Sequence, residues 1–333
     1  MIEGHVTDEL TIGVDIGGTN FRAAVVDAEG TILDTEQLPT PSSVSALEEA
    51  LELAIAELRG RHPSVVSVGL AVAGFIDETR TRVRFAPHLP WRHQEIVQRL
   101  STRLGLPVVL EHDANSAAIG EHAFGAAQGV DNWVLFALGT GIGGAVMING
   151  RIYRGAFGTA PEFGHLTVMP KGRACPCGKR GCLERYCSGS ALALAAQDLM
   201  ATRRYSASRL VDAYANKAEE LTGRVIVDAA RHGDALAQEA VDEVATWLGQ
   251  GLGLVQDIFD PELIVIGGGL STEADLFMDT AKSELGSSIV GSGYRPVSRV
   301  AAAQLGGDAG MIGVALLARQ EAGERTHRRH EGT

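Results

Sequence analysis

Residues 11–33 read TIGVDIGGTNFRAAVVDAEGTIL, and residues 133–153 read WVLFALGTGIGGAVMINGRIY. Both follow one order: an apolar strand, a loop of Gly with Thr, a second apolar strand, and a turn ending in Gly. The closing turns are Glu29-Gly30 and Asn149-Gly150. Apolar runs of strand length broken by Gly-rich turns read as hairpins. One pattern used twice, about 120 residues apart, points to a duplicated unit rather than two unrelated hairpins. A chain of 333 residues has room for two such halves, since a domain takes roughly 150 residues.

Helix and strand signals alternate between and after the copies. From Ser45 to Arg59, Leu47, Leu51, Ile55 and Leu58 fall on one helical face, with glutamates on the other. Ser64–Ala73 is a Val-rich strand ending at Gly74, and Pro107–Leu110 a short strand running into HDAN at His112–Asn115. A helix of small residues follows from Ala114 toward His122. Further helices begin near Ser190, and a long one spans Asp234 to Phe259, stopped by Asp260-Pro261. LIVIGGG at Leu263–Gly269 is a strand and turn, and a final helix covers about Gly310 to Arg319. The last dozen residues, with Glu324, Arg325, Arg328 and Arg329, read as a solvated tail. The pattern predicts an α/β fold with ligands at the carboxyl ends of strands. Two similar halves would place the site in a cleft between them. The expected division is a small lobe at 1–120, completed by the helix near 308–320, a large lobe at 121–307, and a tail at 321–333.

Charge narrows the partners. Lys plus Arg is 29 and Asp plus Glu 41, a net charge of −12. That field repels nucleic-acid backbones and anionic membrane surfaces. Gly is 41 of 333, about 12% against a usual share of about 7%, with no collagen-like period. The excess suits close backbone approaches, as around phosphates. All four cysteines fall between Cys175 and Cys187, which reads as metal chemistry in a reducing compartment. Glu3, Asp8, Glu9 and Asp15 near the start argue against a secretory leader. No apolar run reaches the length of a membrane span, so a cytoplasmic protein is expected.

Three motifs carry chemistry. DIGGT at Asp15–Thr19 lets backbone N–H groups approach a phosphate, with Thr19 donating its hydroxyl and Asp15 orienting magnesium through water. LGTGIGG at Leu138–Gly144, with Gly139, Thr140 and Gly141, supplies a second such loop. Neither has the spacing of a P-loop or a dinucleotide fingerprint. Asp113 in HDAN stands at a strand end before a helix, as a proton acceptor for an attacking hydroxyl or as a helix cap. EFGH at Glu162–His165 precedes CPCGKRGCLE at Cys175–Glu184. Cys175, Cys177 and Cys182 supply three thiolates for zinc, and the fourth ligand is His165 or Cys187. Four protein ligands would make the metal structural.

Together DIGGT, LGTGIGG…NGR, EFGH, CxCGxxGCLE and the late IGGG, in that order over nearly the whole chain, resemble the ROK family of repressors and sugar kinases. APHLPWRH at Ala86–His93 and AAQLGGDAG at Ala302–Gly310 look most like its actinobacterial ATP-dependent glucokinase branch. The resemblance implies a duplicated actin-like, ribonuclease-H-like ATPase fold closing on sugar and Mg-ATP. It implies Asp113 as the base for the 6-hydroxyl of glucose, with Gly74, His112, Glu162, His165 and Glu184 at the sugar. Asp15, Gly17, Gly18, Thr19, Gly139, Thr140 and Gly141 would serve phosphates and magnesium, and Gly267, Gly268 and Gly269 would lie near adenosine. Structural zinc would take His165, Cys175, Cys177 and Cys182, leaving Cys187 an ordinary thiol. A homo-oligomer, dimer or tetramer, is implied as well.

Three positions depart from the family's pattern. His112 stands where many family kinases carry Asn, Ala73 precedes Gly74 in place of Pro, and Asn20 replaces a common Lys. The alternatives within the family are a kinase for N-acetylmannosamine, N-acetylglucosamine or fructose, a polyphosphate-using enzyme, or a sugar-responsive regulator. Only ten residues precede Thr11, which leaves no space for a helix-turn-helix.

Overall fold

A computed structural model describes residues 9–202 and 208–331, with side-chain surroundings given through Glu324. Glu3 and Asp8, and the side chains of Arg325, Arg328 and Arg329, on which parts of the sequence reading rest, lie outside the described residues.

The first repeat builds the first sheet. Strands β1 (Leu10–Ile16) and β2 (Asn20–Val26) form the antiparallel hairpin around DIGGT, and β3 (Ile32–Pro39) follows the Glu29-Gly30 turn. Helix α1 (Val44–Arg61) leads to β4 (Val65–Val72), which lies parallel to β1. A small three-stranded sheet of β5 (Phe75–Ile76), β6 (Val83–Phe85) and β7 (Arg92–Gln94) comes next. Helix α2 (Ile96–Leu104), strand β8 (Val108–His112) and helix α3 (Asp113–Phe124) complete this half, β8 lying parallel to β4.

The second repeat gives β9 (Trp133–Leu138), β10 (Ile142–Ile148) and β11 (Arg151–Ile152), with Asn149 and Gly150 both at positive φ in the closing turn. Helices α4 (Gly189–Ala201), α5 (Arg209–Tyr214), α6 (Gly223–Arg231) and α7 (Ala235–Phe259) precede β12 (Leu263–Gly267). Helix α8 (Met278–Ser288), strand β13 (Arg299–Ala302) and helix α9 (Ala309–Glu331) end the chain. The sheet orders are β3-β2-β1-β4-β8 and β11-β10-β9-β12-β13. They match position by position: a hairpin, its third strand on one side, two parallel strands on the other. This is the duplicated actin-like ATPase topology that the two motif copies imply.

Two compact units result. One takes residues up to Asp131, Ala145–Pro161 and those from Gln304 on; the other takes Asn132–Gly144 and Glu162–Ala303. In the first, Leu47, Leu51, Ile55 and Leu58 of α1 are all fully buried, the face their spacing predicts. Burial of each such side chain contributes about 1.5–3 kcal/mol. Glu48 departs from the expected glutamate face. It is buried at 4% exposure and accepts from Arg99 Nη2 at 2.5 Å and Arg103 Nη1 at 3.4 Å, both on α2. Periodicity assigns a face, but not the partners that let a carboxylate sit under it. In the second unit α7 keeps its expected bounds: Asp234 accepts from Leu236 and Ala237 N–H, and Asp260 ends the helix in the left-handed region.

Helix α9 is longer than the Gly310–Arg319 expected and runs through most of the stretch read as a tail, its Glu321 paired with Arg80 at 2.6 Å. It also lies directly on the backbone of its neighbours. A Cβ on Gly13 would overlap the Met311 carbonyl, one on Gly69 the Val314 carbonyl, and one on Gly313 the Ser116 carbonyl of α3. Overpacking against backbone costs at least about 1–3 kcal/mol, and each kcal/mol moves the melting temperature of a larger domain by about 2–4 °C. Gly313→Ala is therefore expected to lower Tm by about 5 °C or more. Gly60→Ala in α1, where a Cβ meets nothing, should hold or raise it. Thermal melts of both variants check this; an unchanged Tm in Gly313→Ala contradicts the packing.

Candidate active site

In the first unit three parallel strands end together. Ile16, Val72 and His112 lie side by side in register, and Asp15, Ala71 and Glu111 form the row before them. The loops leaving these ends are DIGGT, the Gly74 turn and HDAN. In the DIGGT loop neither Gly17 nor Gly18 has positive φ. Their smallness serves space instead: a Cβ on Gly18 would stand 2.6 Å from the His88 Cβ, and one on Gly17 3.0 Å from the Asn20 carbonyl. Thr40 holds the loop from below, its hydroxyl on the Gly17 carbonyl at 2.7 Å and its N–H on Thr19 at 2.9 Å. Thr19 and Asn20 are exposed. Gly74 is required by Ala86, whose Cβ lies 2.8 Å from where a side chain would begin.

Asp113 is the first residue of α3, and His112 is the cap. Its Oδ1 accepts from Ala114 N–H at 2.8 Å and lies 3.1 Å from His112 Nε2, while the side chain stays 42% exposed. Helix N-termini favour a carboxylate, and the half-buried Asp113 side chain sits at one. Asp15 answers it. Burial first, and then the negative charge of Asp113, push the Asp15 carboxyl up to about 6, with Arg22 opposing and Asp308 adding to the rise. Arg22, the cross-strand partner of Asp15, stands 3.7 Å from it and 3.0 Å from Asp308 Oδ1, and also bonds the Gly307 carbonyl. Two like charges with one guanidinium between them form a place for a further cation.

The second unit carries the other loop. Gly139 N–H bonds the Gly141 carbonyl at 2.9 Å, and the Gly139 carbonyl accepts from Gly189 N–H at 2.9 Å. Glu184 Oε2 accepts from Ile142 N–H at 3.0 Å, and Ser190 Oγ donates to the Thr140 carbonyl at 2.8 Å. Glu184 and the first turn of α4 thus brace the loop from behind. Gly141 has no room for a Cβ beside the Glu184 carboxylate, whereas a Cβ on Gly139 or Gly269 would meet only open space. Gly268, at φ 80°, is pressed on the Leu138 backbone at the end of β12.

Glu162 is exposed and opens a 3₁₀ turn at Phe163–His165. Phe163 is the anchor, stacked on Phe136 with centroids 5.1 Å apart, and the ring leaves no space at Gly144. The ligand atoms of His165, Cys175, Cys177 and Cys182 all lie within 4.8 Å of one another. The pairs His165 Nδ1–Cys175 Sγ and Cys177 Sγ–Cys182 Sγ are each 3.7 Å. Tetrahedral zinc at about 2.3 Å from sulfur sets ligands about 3.8 Å apart, so the cluster fits that ion. Burial pushes the Cys182 thiol up to about 12, so its thiolate needs a cation. Of the two candidates for the fourth ligand, the structure groups His165; Cys187 is buried apart, its thiol raised by burial.

Two parallel-stranded units, each with a Gly-and-Thr loop at its strand ends, define an actin-like phosphotransferase architecture. The chain matches the model of the ROK family over residues 11–321, and it belongs to that family. It is 42% identical over 311 residues to a glucokinase of Streptomyces coelicolor, covering 93% of this chain and 98% of that one. It is 34% identical to a glucokinase of Thermotoga maritima over 316 residues, covering 94% and 98%. Among solved structures, a ROK family glucokinase from Streptomyces griseus in complex with glucose and AMPPNP superposes with a TM-score of 0.81. That protein is 44% identical, with 93% of this chain and 99% of that one covered.

Arg22 is absent from the sequence reading, although a signal existed: the β1–β2 register sets it opposite Asp15. The same strain predicts a pH dependence. The native carboxyl of Asp15 holds its proton to about 6, against 3.8 when unperturbed. The stability from this group is therefore present at low pH and lost as pH rises through that window. Asp15→Asn removes the loss. In thermal melts without ligands it should exceed the parent's Tm above pH 6, the gap closing below pH 4; a variant less stable at pH 7 contradicts the assignment.

Proposed function

We propose that this protein is an ATP-dependent glucokinase, transferring the terminal phosphoryl group of ATP to the 6-hydroxyl of glucose. The observation that carries the reading is Asp113, a half-buried carboxylate at the end of β8, beside a second, strained carboxylate at Asp15. Near-full-length similarity to glucokinases, one of them solved with glucose and an ATP analogue, supports the choice of both substrates.

Phosphoryl transfer passes through a loose transition state, so catalysis is mostly placement and charge stabilisation. In this reading Asp113 aligns the 6-hydroxyl and accepts its proton as the new bond forms. Gly74, His112, Glu162, His165 and Glu184 hydrogen-bond the remaining sugar hydroxyls and the walls around them. Backbone N–H groups of Gly18, Thr19, Thr140 and Gly141 receive the phosphate oxygens, in loops closed by the Gly17 and Gly139 N–H groups on the Asn20 and Gly141 carbonyls, and Gly267–Gly269 border the nucleoside. Asp15 orients the water shell of magnesium, whose charge neutralises the phosphates when it is bound. Zinc, held by His165 and the three cysteines, would fix the imidazole through Nδ1 and leave Nε2 for the sugar. The proposed protein is a cytoplasmic homo-oligomer acting at the head of glucose breakdown. Among the described residues no helix is long and apolar enough to cross a membrane.

One observation favours a second reading, a related hexose or amino-sugar kinase. His112 Nε2 points at Asp113 Oδ1, so this residue serves the base as much as a sugar hydroxyl.

Asp113→Asn keeps the shape and removes the proton acceptor. Its kcat for glucose phosphorylation should fall by about 10²–10⁴, with Tm within a few degrees of the parent; a variant retaining a tenth of the parent's rate removes Asp113 from this role. Cys177→Ala should lose bound zinc and raise KM for glucose more than KM for ATP. Metal analysis finding no zinc in fully active parent protein overturns the zinc assignment.

A further inference from the structure

Glu111 is the residue before His112 and is only 2% exposed. Its Oε1 accepts from the His112 backbone N–H at 3.0 Å and from Asn115 Nδ2 at 2.9 Å, the two residues flanking the Asp113–Ala114 step. Its Oε2 takes both prongs of Arg154, Nε at 2.9 Å and Nη2 at 2.6 Å. Four donors therefore converge on one carboxylate directly under the start of α3. Arg154 follows β11, and its carbonyl accepts from Ala160 N–H at 3.2 Å. That bond closes a loop tightened at Gly155 and Gly158, both at positive φ; a Cβ on Gly158 would stand 2.9 Å from the Ile76 carbonyl. Two residues after Ala160 comes Glu162.

We propose that Glu111 and Arg154 form a positioning pair for the phosphoryl transfer, Arg154 holding the carboxylate that in turn holds the backbone that aims Asp113. This rests on the reading of Asp113 as base. Stability alone does not call for such a pair, since well-packed apolar residues serve a buried site as well or better. Two guanidinium N–H groups converging on the single oxygen Oε2 instead fix its direction, which one lysine ammonium cannot reproduce. Asp113 needs that help. Its Oδ1 is tied only to the neighbouring Ala114 N–H and His112, so the direction of the carboxylate follows the backbone of residues 112–115. A misplacement of about 1 Å at a reacting group costs up to about 100-fold in rate. Neither residue touches substrate in this arrangement.

The test is steady-state kinetics on the full-length enzyme with glucose and Mg-ATP. Arg154→Ala should lower kcat by about 10- to 100-fold while both KM values stay within about threefold of the parent's. Arg154→Lys, which keeps the charge and loses the fork, should fall in between, and it tests the pair if the alanine variant does not fold. A cavity of about 730 Å³, lined by Arg80, His122, Arg151, Arg154, Gln320 and Glu321 among others, borders the guanidinium. Added methylguanidinium should therefore restore several-fold of kcat in Arg154→Ala and none in the parent. Glu48→Gln removes a comparably buried, arginine-paired carboxylate outside the site and should leave kcat per folded molecule unchanged. Folded Arg154→Ala or Arg154→Lys with the parent's kcat overturns the proposal, as does a loss confined to KM or matched by Glu48→Gln. An inactive Asp113→Asn beside a fully active Arg154→Ala defeats the pair alone; an active Asp113→Asn defeats the base.

Discussion

Two carboxylates sit at one end of the first sheet, Asp15 near the end of β1 and Asp113 just after β8, with β4 between them, and much of the first unit is organised around keeping them there. Left to itself such a pair relaxes by taking up a proton or moving apart. Here Asp113 is fixed by the first turn of α3 and Asp15 by the β1–β2 register, and the Asp15 carboxyl is raised by its burial first and by the charge of Asp113 second. Arg22 opposes part of that rise while also holding Asp308 and the Gly307 carbonyl at the start of α9.

The surroundings are rigid for a reason that follows from backbone packing. Gly13, Gly69 and Gly313 let α9 lie against β1, β4 and α3 with no side chain between, so the strand ends cannot shift without moving a helix. In the second unit Glu184, Gly189 and Ser190 brace the Gly139–Gly141 loop from behind. Both loops use glycine for room rather than for a left-handed turn, since none of Gly17, Gly18, Gly139 and Gly141 has positive φ.

Much of this was legible in residue order. The hairpins, the buried face of α1 and the caps of α7 follow from period and turn chemistry, which are local. The cysteine cluster was legible too, but its fourth ligand was not. His165 lies ten residues upstream of Cys175, and only the fold of the 3₁₀ turn, pinned by Phe163, brings it there. Glu48 and Glu111 were misplaced or overlooked for one reason: a buried carboxylate is explained by distant arginines, Arg99 and Arg103 for one and Arg154 for the other. Those partners lie 51, 55 and 43 residues away, beyond any window that reads periodicity.

The central claim is that these groups serve transfer of phosphate to a sugar hydroxyl and not to water or to another acceptor. Initial rates of ADP release and of glucose 6-phosphate formation, measured together over a panel of hexoses and amino sugars with ATP and with polyphosphate, address it most directly. The account predicts equal rates of the two products, dependence on magnesium, and the highest kcat/KM for glucose with ATP. ADP release that proceeds as fast without sugar, or a higher kcat/KM for N-acetylmannosamine, N-acetylglucosamine or fructose, would contradict it.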